Sequence, residues 1–182
     1  MVQEEEMERQ RQEKELGRMN MPLTELPLGL PGKVFRSPMP FGGFDPDGNV
    51  LQAFKRYHIS VVVLLVDDDE CRSRVNCNLR ERYLEEGLKV IHLPIRDRHV
   101  ATDPDLQEAL RATIEHARNG SHIAIHCYAG LGRTGMFAAC LSRRVLGLTG
   151  EEAIRWIRRH VPGAIETQHQ EQIVLTLDCS PS

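Results

Sequence analysis

The chain has 182 residues, with 23 Lys+Arg against 26 Asp+Glu and a formal net charge of −3. That length predicts one domain with a tail, and the near-neutral charge lacks the basic footprint of a nucleic-acid binder, so no nucleic-acid partner is expected. The longest strongly apolar run, Val61–Val66, is too short to span a bilayer, and five cysteines, an odd number without a C-x-x-C pair, point to a reducing, cytoplasmic setting; a soluble monomer is expected.

Residues 1–22 read as a charged, flexible extension: Glu5 and Arg9 stand at helical spacing, but no apolar face is wide enough to dock a helix. The folded domain is expected over 23–182. Its first stretch, 21–48, carries six of the ten prolines and should run in extended and turn conformations, with one strand at Lys33–Arg36. Asn49–His58 is then an amphipathic helix, and Ile59–Val66 is a β-branched and leucine run typical of a strand buried on both faces. Ser73–Glu86 reads as one helix stopped by Gly87, and Leu88–Leu93 as the next strand. Asp103 and Pro104 supply an N-cap and a first-turn proline for a helix to Arg118, followed by a short strand at His122–His126. Thr134–Leu146 is helical. Capping boxes at Thr149 and Thr167 open helices to His160 and Leu177. Strands alternating with helices predict an α/β fold: a central, mostly parallel sheet of four to five strands flanked by helices.

In such a sheet, ligands bind beyond the carboxyl ends of the strands. There the sequence places Cys127-Tyr-Ala-Gly-Leu-Gly-Arg133-Thr134-Gly135, a short loop from a buried strand to a helix N-terminus. Gly130, Gly132 and Gly135 allow the backbone to turn successive N–H groups inward, making a pocket for a tetrahedral oxyanion. Arg133 grips two of its oxygens in a fork, and the same field favours the thiolate of Cys127, a nucleophile aimed at phosphorus. Tyr128, Ala129, Gly130, Leu131 and Gly132, with Arg133, are therefore the expected substrate-binding residues. The histidines lack metal-ligand spacing, and this chemistry calls for no metal or cofactor.

The pattern His126-Cys127-x-x-Gly130-x-x-Arg133-Thr134-Gly135 resembles the signature loop of the cysteine-dependent protein tyrosine and dual-specificity phosphatases. The chain resembles the kinase-associated phosphatase and the small atypical dual-specificity enzymes over roughly residues 30–178. His92-Leu-Pro94-Ile-Arg-Asp97 resembles the segment that bears the family's general acid. Asp97 takes that role more readily than Asp103, an N-cap, or Asp105, a first-turn acid. Thr134 is placed to donate to the cysteine sulfur, and His126 to hydrogen-bond the loop backbone. Gly163-Ala-Ile-Glu166-Thr167-x-x-Gln170 resembles a downstream motif of the small members, which implies that Glu166 or Gln170 orients the hydrolytic water; a capping box explains Thr167 and Gln170 equally well.

Cys140 reads as core, Cys179 as surface, and some relatives place a redox partner for the nucleophile near Cys71. The arginines Arg143, Arg144, Arg155, Arg158 and Arg159 read as the solvated side of two helices. The resemblance implies a phosphoprotein substrate, a protein kinase among the candidates. A phosphoinositide phosphatase and a weakly active phosphopeptide-binding regulator are the alternatives.

Overall fold

Five strands and seven helices are formed within residues 22–178, the part of the chain that the computed structural model describes. Apart from Pro22, the extension expected over 1–22 lies outside the described residues, as does Cys179. The strands are β1 (Thr24–Leu26), β2 (Val34–Ser37), β3 (Ile59–Leu64), β4 (Lys89–His92) and β5 (His122–His126). They form one sheet in the order β1-β2-β5-β3-β4, parallel throughout except for β1, which runs antiparallel to β2. The helices are α1 (Asn49–Arg56), α2 (Asp68–Val75), α3 (Leu79–Glu85), α4 (Asp103–Arg118), α5 (Gly132–Leu146), α6 (Gly150–His160) and α7 (Gln168–Thr176). The fold is α/β.

The two most apolar runs take the centre because only there are both faces covered. Val61–Leu64 of β3 and Ile123–Ile125 of β5 are fully buried. In register, Ser37 of β2 and Leu64 of β3 both lie level with His126, so three strands end in line and Cys127 emerges from their common carboxyl edge. Just beyond that edge, the Leu65 N–H donates to the His126 carbonyl at 3.0 Å and the Met39 N–H to the Tyr128 carbonyl at 2.9 Å.

Four local expectations need correction. The proline-rich segment contains an additional strand, β1, whose last residue Leu26 is buried along with the flanking Leu23 and Leu28; proline is tolerated beside it because β1 is an edge. The helix expected over Ser73–Glu86 is two helices. Asp67 caps α2 by accepting the Glu70 N–H at 2.7 Å, Asn76 ends it in the left-handed region (φ 56°), and the Asn78 side chain accepts from Arg80 and Glu81 to start α3. The N-cap of α4 is Thr102, so Asp103 and Asp105 are both first-turn acids. At α7, Thr167 accepts the Gln170 N–H, but the Gln170 side chain accepts from Glu166 rather than from Thr167, so the box is half formed.

Helix α5 is buried from Gly132 to Ser142, Cys140 included. Two of the arginines read as solvated, Arg143 and Arg158, do structural work around it. Arg143 donates to the carbonyls of Val174 and Leu177 at 2.7 and 2.8 Å, closing the end of α7. Arg158 donates to the carbonyls of Ala164 and Ile165 and pairs with Glu171.

Candidate active site

Cys127 is buried, 3% exposed, at the first position after β5. From it the chain crosses to α5 through a loop that only glycine can follow at Gly130. That residue has φ 73°, and a Cβ there would stand 2.2 Å from the Ser37 carbonyl oxygen. No side chain caps α5, whose N-cap residue is Leu131, so its first N–H groups and the positive end of its dipole face the loop. Gly135 lets α5 approach the 163–165 turn, where a Cβ would lie 2.8 Å from the Ile165 nitrogen. Ile165 holds φ 65°, a costly conformation for a β-branched residue, while its N–H donates to the Leu131 carbonyl at 3.2 Å and its own carbonyl accepts from Arg158.

Arg133, 2% exposed, is oriented by a fork. Its Nη1 donates to Glu70 Oε2 at 2.7 Å and Nη2 to Glu70 Oε1 at 2.9 Å, while Nη1 also donates to the Ile95 carbonyl at 2.8 Å. Asp97 Oδ1 lies 3.4 Å from Nη2, on a side chain 57% exposed. Burial is the largest influence on the Arg133 guanidinium and acts to lower its pKa, but Glu70, Cys127 and Asp97 together outweigh it and raise it. Sequence reasoning missed Glu70. Its signal was an acidic run, Asp67–Glu70, just past the carboxyl end of β3, combined with a buried guanidinium that needs an anion.

His126 is fully buried between two partners. Its Nδ1 lies 3.0 Å from the Cys127 carbonyl and its Nε2 2.7 Å from the Tyr83 hydroxyl. A carbonyl only accepts, so Nδ1 carries the proton and Nε2 accepts from Tyr83. Burial lowers the His126 pKa from 6.5 to about 4; the Cys127 carbonyl opposes the shift and the Arg133 charge adds to it. The neutral ring therefore contributes stability that is intact above pH 6.5 and is lost between 6.5 and 4, as the unfolded chain takes a proton the native state refuses. The expected loss is on the order of 3 kcal/mol. Urea unfolding at pH 7 and at pH 4.5 checks it: stability should decline less in His126→Gln than in the wild type, and equal declines would place the titrating group elsewhere.

The Thr134 hydroxyl is buried without a hydrogen-bond partner among the described residues. Glu166 and Gln170 both reach the start of α5. A Cβ on Gly132 would lie 2.2 Å from Glu166 Oε2 and 3.3 Å from Gln170 Nε2. Gln170 is fully buried; its Oε1 accepts the Glu166 N–H at 2.9 Å and its Nε2 donates to the His99 carbonyl at 3.5 Å. It thus ties α7 to the loop that carries Asp97. Ala129 and Leu131 are half-buried, and the Tyr128 ring stands between Phe44, edge-on at 5.4 Å, and the Arg74 guanidinium, 4.2 Å from its centroid. An open cleft of about 700 Å³ runs past Glu70, Arg74, Arg96 and Asp97. Cys71 is a free, fully buried thiol pushed up to about 12, chiefly by burial. Among the described residues no group of three or more His, Cys, Asp or Glu is arranged to hold a metal, and no helix is long and apolar enough to cross a membrane.

Residues 52–174 match the PTP-SAK family, the Swiss Army Knife protein DSP-PTPase phosphatase domain. The dual specificity protein phosphatase CDC14C of Homo sapiens is 28% identical over 127 residues, 69% of this chain and 26% of that protein. The protein tyrosine phosphatase domain-containing protein 1 of Bos taurus is 32% identical over 92 residues, 50% of this chain. The match covers only 11% of that bovine protein, so the chain spans a small part of the curated relatives' length. Among crystal structures, Tk-PTP in its active form superposes with a TM-score of 0.70 at 31% identity, covering 85% of this chain and 95% of that one. The kinase associated phosphatase shares the fold, with a TM-score of 0.76 at 23% identity over 85% and 93% of the two chains. The family match covers more than half of the chain and includes the whole Cys127–Arg133 loop: the chain belongs to the DSP-PTPase phosphatases of the PTP-SAK family.

Proposed function

We propose that the chain is a phosphoprotein phosphatase of the dual-specificity type, acting on phosphotyrosine, phosphothreonine or phosphoserine through a cysteinyl-phosphate intermediate. The observation that carries this reading is one loop with a buried cysteine at one end and a forked, carboxylate-oriented arginine at the other, opening on uncapped helix N–H groups. The Cys127 thiolate attacks phosphorus, forming the S–P bond as the ester P–O bond breaks. Arg133 and the loop N–H groups hold the equatorial oxygens. Asp97 gives its proton to the leaving oxygen, then takes one from the water that attacks the phosphocysteine. As the S–P bond breaks, the Thr134 hydroxyl donates to the departing sulfur and inorganic phosphate is released. Glu166 and Gln170, at the mouth of α5, orient that water. His126 holds the loop by way of the Cys127 carbonyl. The Tyr128 ring, held between Phe44 and Arg74 at the start of the loop, is a flat apolar surface on which a protein-borne phosphorylated side chain rests. The neutral variable positions of the loop, Tyr128, Ala129, Leu131 and Gly132, suit it better than a polyphosphorylated lipid ring. A reducing cytoplasm fits the need for a free thiolate, and the chain acts there as a monomer.

The test is a panel of phosphotyrosine peptide, phosphothreonine peptide and phosphoinositide, with Asp97→Asn beside the wild type. Peptide turnover well above lipid turnover is expected; the reverse would transfer the reading to a lipid phosphatase. Asp97→Asn should slow alkyl phosphates by about 100-fold and aryl phosphates with good leaving groups far less. Equal losses for both classes would remove Asp97 from the acid role.

A further inference from the structure

Arg133 brings no surplus positive charge to the loop, because Glu70 takes both arms of its fork and Asp97 stands 3.4 Å away. Even with Asp97 protonated, the Glu70–Arg133 pair sums to zero. A thiolate and a phosphoryl dianion in the same pocket still require a cation.

One is available beneath the loop. Arg36 lies on β2, in register with Ile125 of β5 and one residue before Ser37, which is level with His126. Its Nη1 would stand 3.0 Å from a Cβ on Gly130, so the guanidinium lies against the underside of the loop. Its Nε is buried without a hydrogen-bond partner, and among the described residues no carboxylate pairs with it. Arg36 also lines a cavity of about 410 Å³ shared with Ala129 and Leu131 of the loop and with Asp45 and Asp47. The Asp45 carboxylate is already engaged by the N–H groups of Phe41, Asn49 and Val50, and Asp47 is exposed on the outer wall. Burial lowers the Arg36 pKa while the Cys127 sulfur opposes that shift; arginine stays protonated in either case.

Arg74 and Arg96 also line the cleft, but both are exposed to solvent; we propose that Arg36 is the uncompensated cation sheltered beneath the loop, a positioning residue that acts from β2 on the Cys127 sulfur and on the bound phosphoryl group. The proposal rests on the reading of Cys127 as the nucleophile. It separates two roles between two arginines: Arg133, fixed by Glu70, supplies geometry, and Arg36, unpaired, supplies net charge.

The experiment compares wild type, Arg36→Gln and Arg36→Lys in the rate of iodoacetamide alkylation at Cys127, followed by peptide mass at pH 6, and in inhibition by inorganic phosphate. Arg36→Gln is expected to slow alkylation about tenfold and to weaken phosphate inhibition about tenfold, with Arg36→Lys recovering most of both. Wild-type alkylation and inhibition in Arg36→Gln would overturn the proposal. So would an Arg36→Lys variant as impaired as Arg36→Gln, which would make Arg36 a strut for the loop. Arg36→Met, which fills the half-buried position without charge, repeats the test if the glutamine variant does not fold. Cys127→Ser is run alongside. If it turns over p-nitrophenyl phosphate, the nucleophile reading fails and Arg36 falls with it; if it is inactive while Arg36→Gln alkylates at the wild-type rate, only the role of Arg36 is lost.

Discussion

Cys127→Ser is expected to lower the turnover of p-nitrophenyl phosphate by about four orders of magnitude or more while leaving inorganic phosphate bound at least as tightly as in the wild type. The two effects come from different atoms. Turnover needs a sulfur that is an anion at the working pH, and a serine hydroxyl in the same place keeps its proton. Binding needs the N–H groups that run into the uncapped start of α5 and the Arg133 donors that Glu70 and Ile95 leave free, none of which belongs to the Cys127 side chain. Serine also removes a negative charge from beside the bound dianion, which favours affinity. Steady-state kinetics and phosphate titration by calorimetry check the pair of outcomes. Turnover that survives in the variant would assign the attack to another group. Loss of phosphate binding in a folded variant would mean that the sulfur holds the loop open, a structural role instead of a chemical one.

The parts of this molecule that were legible from sequence are those whose cause is contiguous. Ile59–Val66 and His122–His126 announce buried parallel strands because their interiors, Val61–Val66 and Ile123–Ile125, are unbroken apolar runs, as both faces being covered requires; β3 stops at Leu64, and Leu65 and Val66 continue into the buried edge. The Cys127–Arg133 loop is legible because thiol, glycines and guanidinium must follow one another within one turn of chain. What stayed hidden depends on partners far away in sequence. Glu70 meets Arg133 across 63 positions, and from sequence it looks like one more acid on a solvated helix. Arg36 is a single charge inside a short strand, and its nearness to Gly130 follows only from the β2–β5 register. The break between α2 and α3 was missed because the charged residues around it keep helical spacing, while the interruption rests on the left-handed φ of Asn76 and the cap made by Asn78. β1 was missed because three residues between prolines carry no periodicity. Arg143 and Arg158 look solvated in sequence because arginine usually is, yet each closes a set of carbonyls left open where a helix or turn ends.

Arg133→Lys is expected to lower kcat/KM by about 1,000-fold, and Glu70→Gln to lower kcat by about tenfold with KM unchanged or improved. Lysine keeps the charge but has one nitrogen where arginine has a planar fork. It cannot meet both Glu70 oxygens and the Ile95 carbonyl and still present two donors to a phosphoryl group, as the Arg133 geometry allows. The substitution also leaves Glu70, whose side chain is 13% exposed, imperfectly paired, and a buried carboxylate beside the pocket repels the incoming dianion. Glu70→Gln acts in the other direction. Its amide still accepts from one arm of the fork but turns a donor toward the other, so Arg133 loses its fixed orientation while the pocket becomes less negative. Chemistry should suffer and ground-state binding should not; because a loss of folded enzyme also lowers apparent kcat at constant KM, the rates are normalised to active sites counted by alkylation of Cys127. If Glu70 acts only through Arg133, Glu70→Gln added to Arg133→Lys should cost far less than tenfold, because the fork it orients is already gone. Full additivity would instead give Glu70 a direct part in the reaction, independent of the arginine it holds.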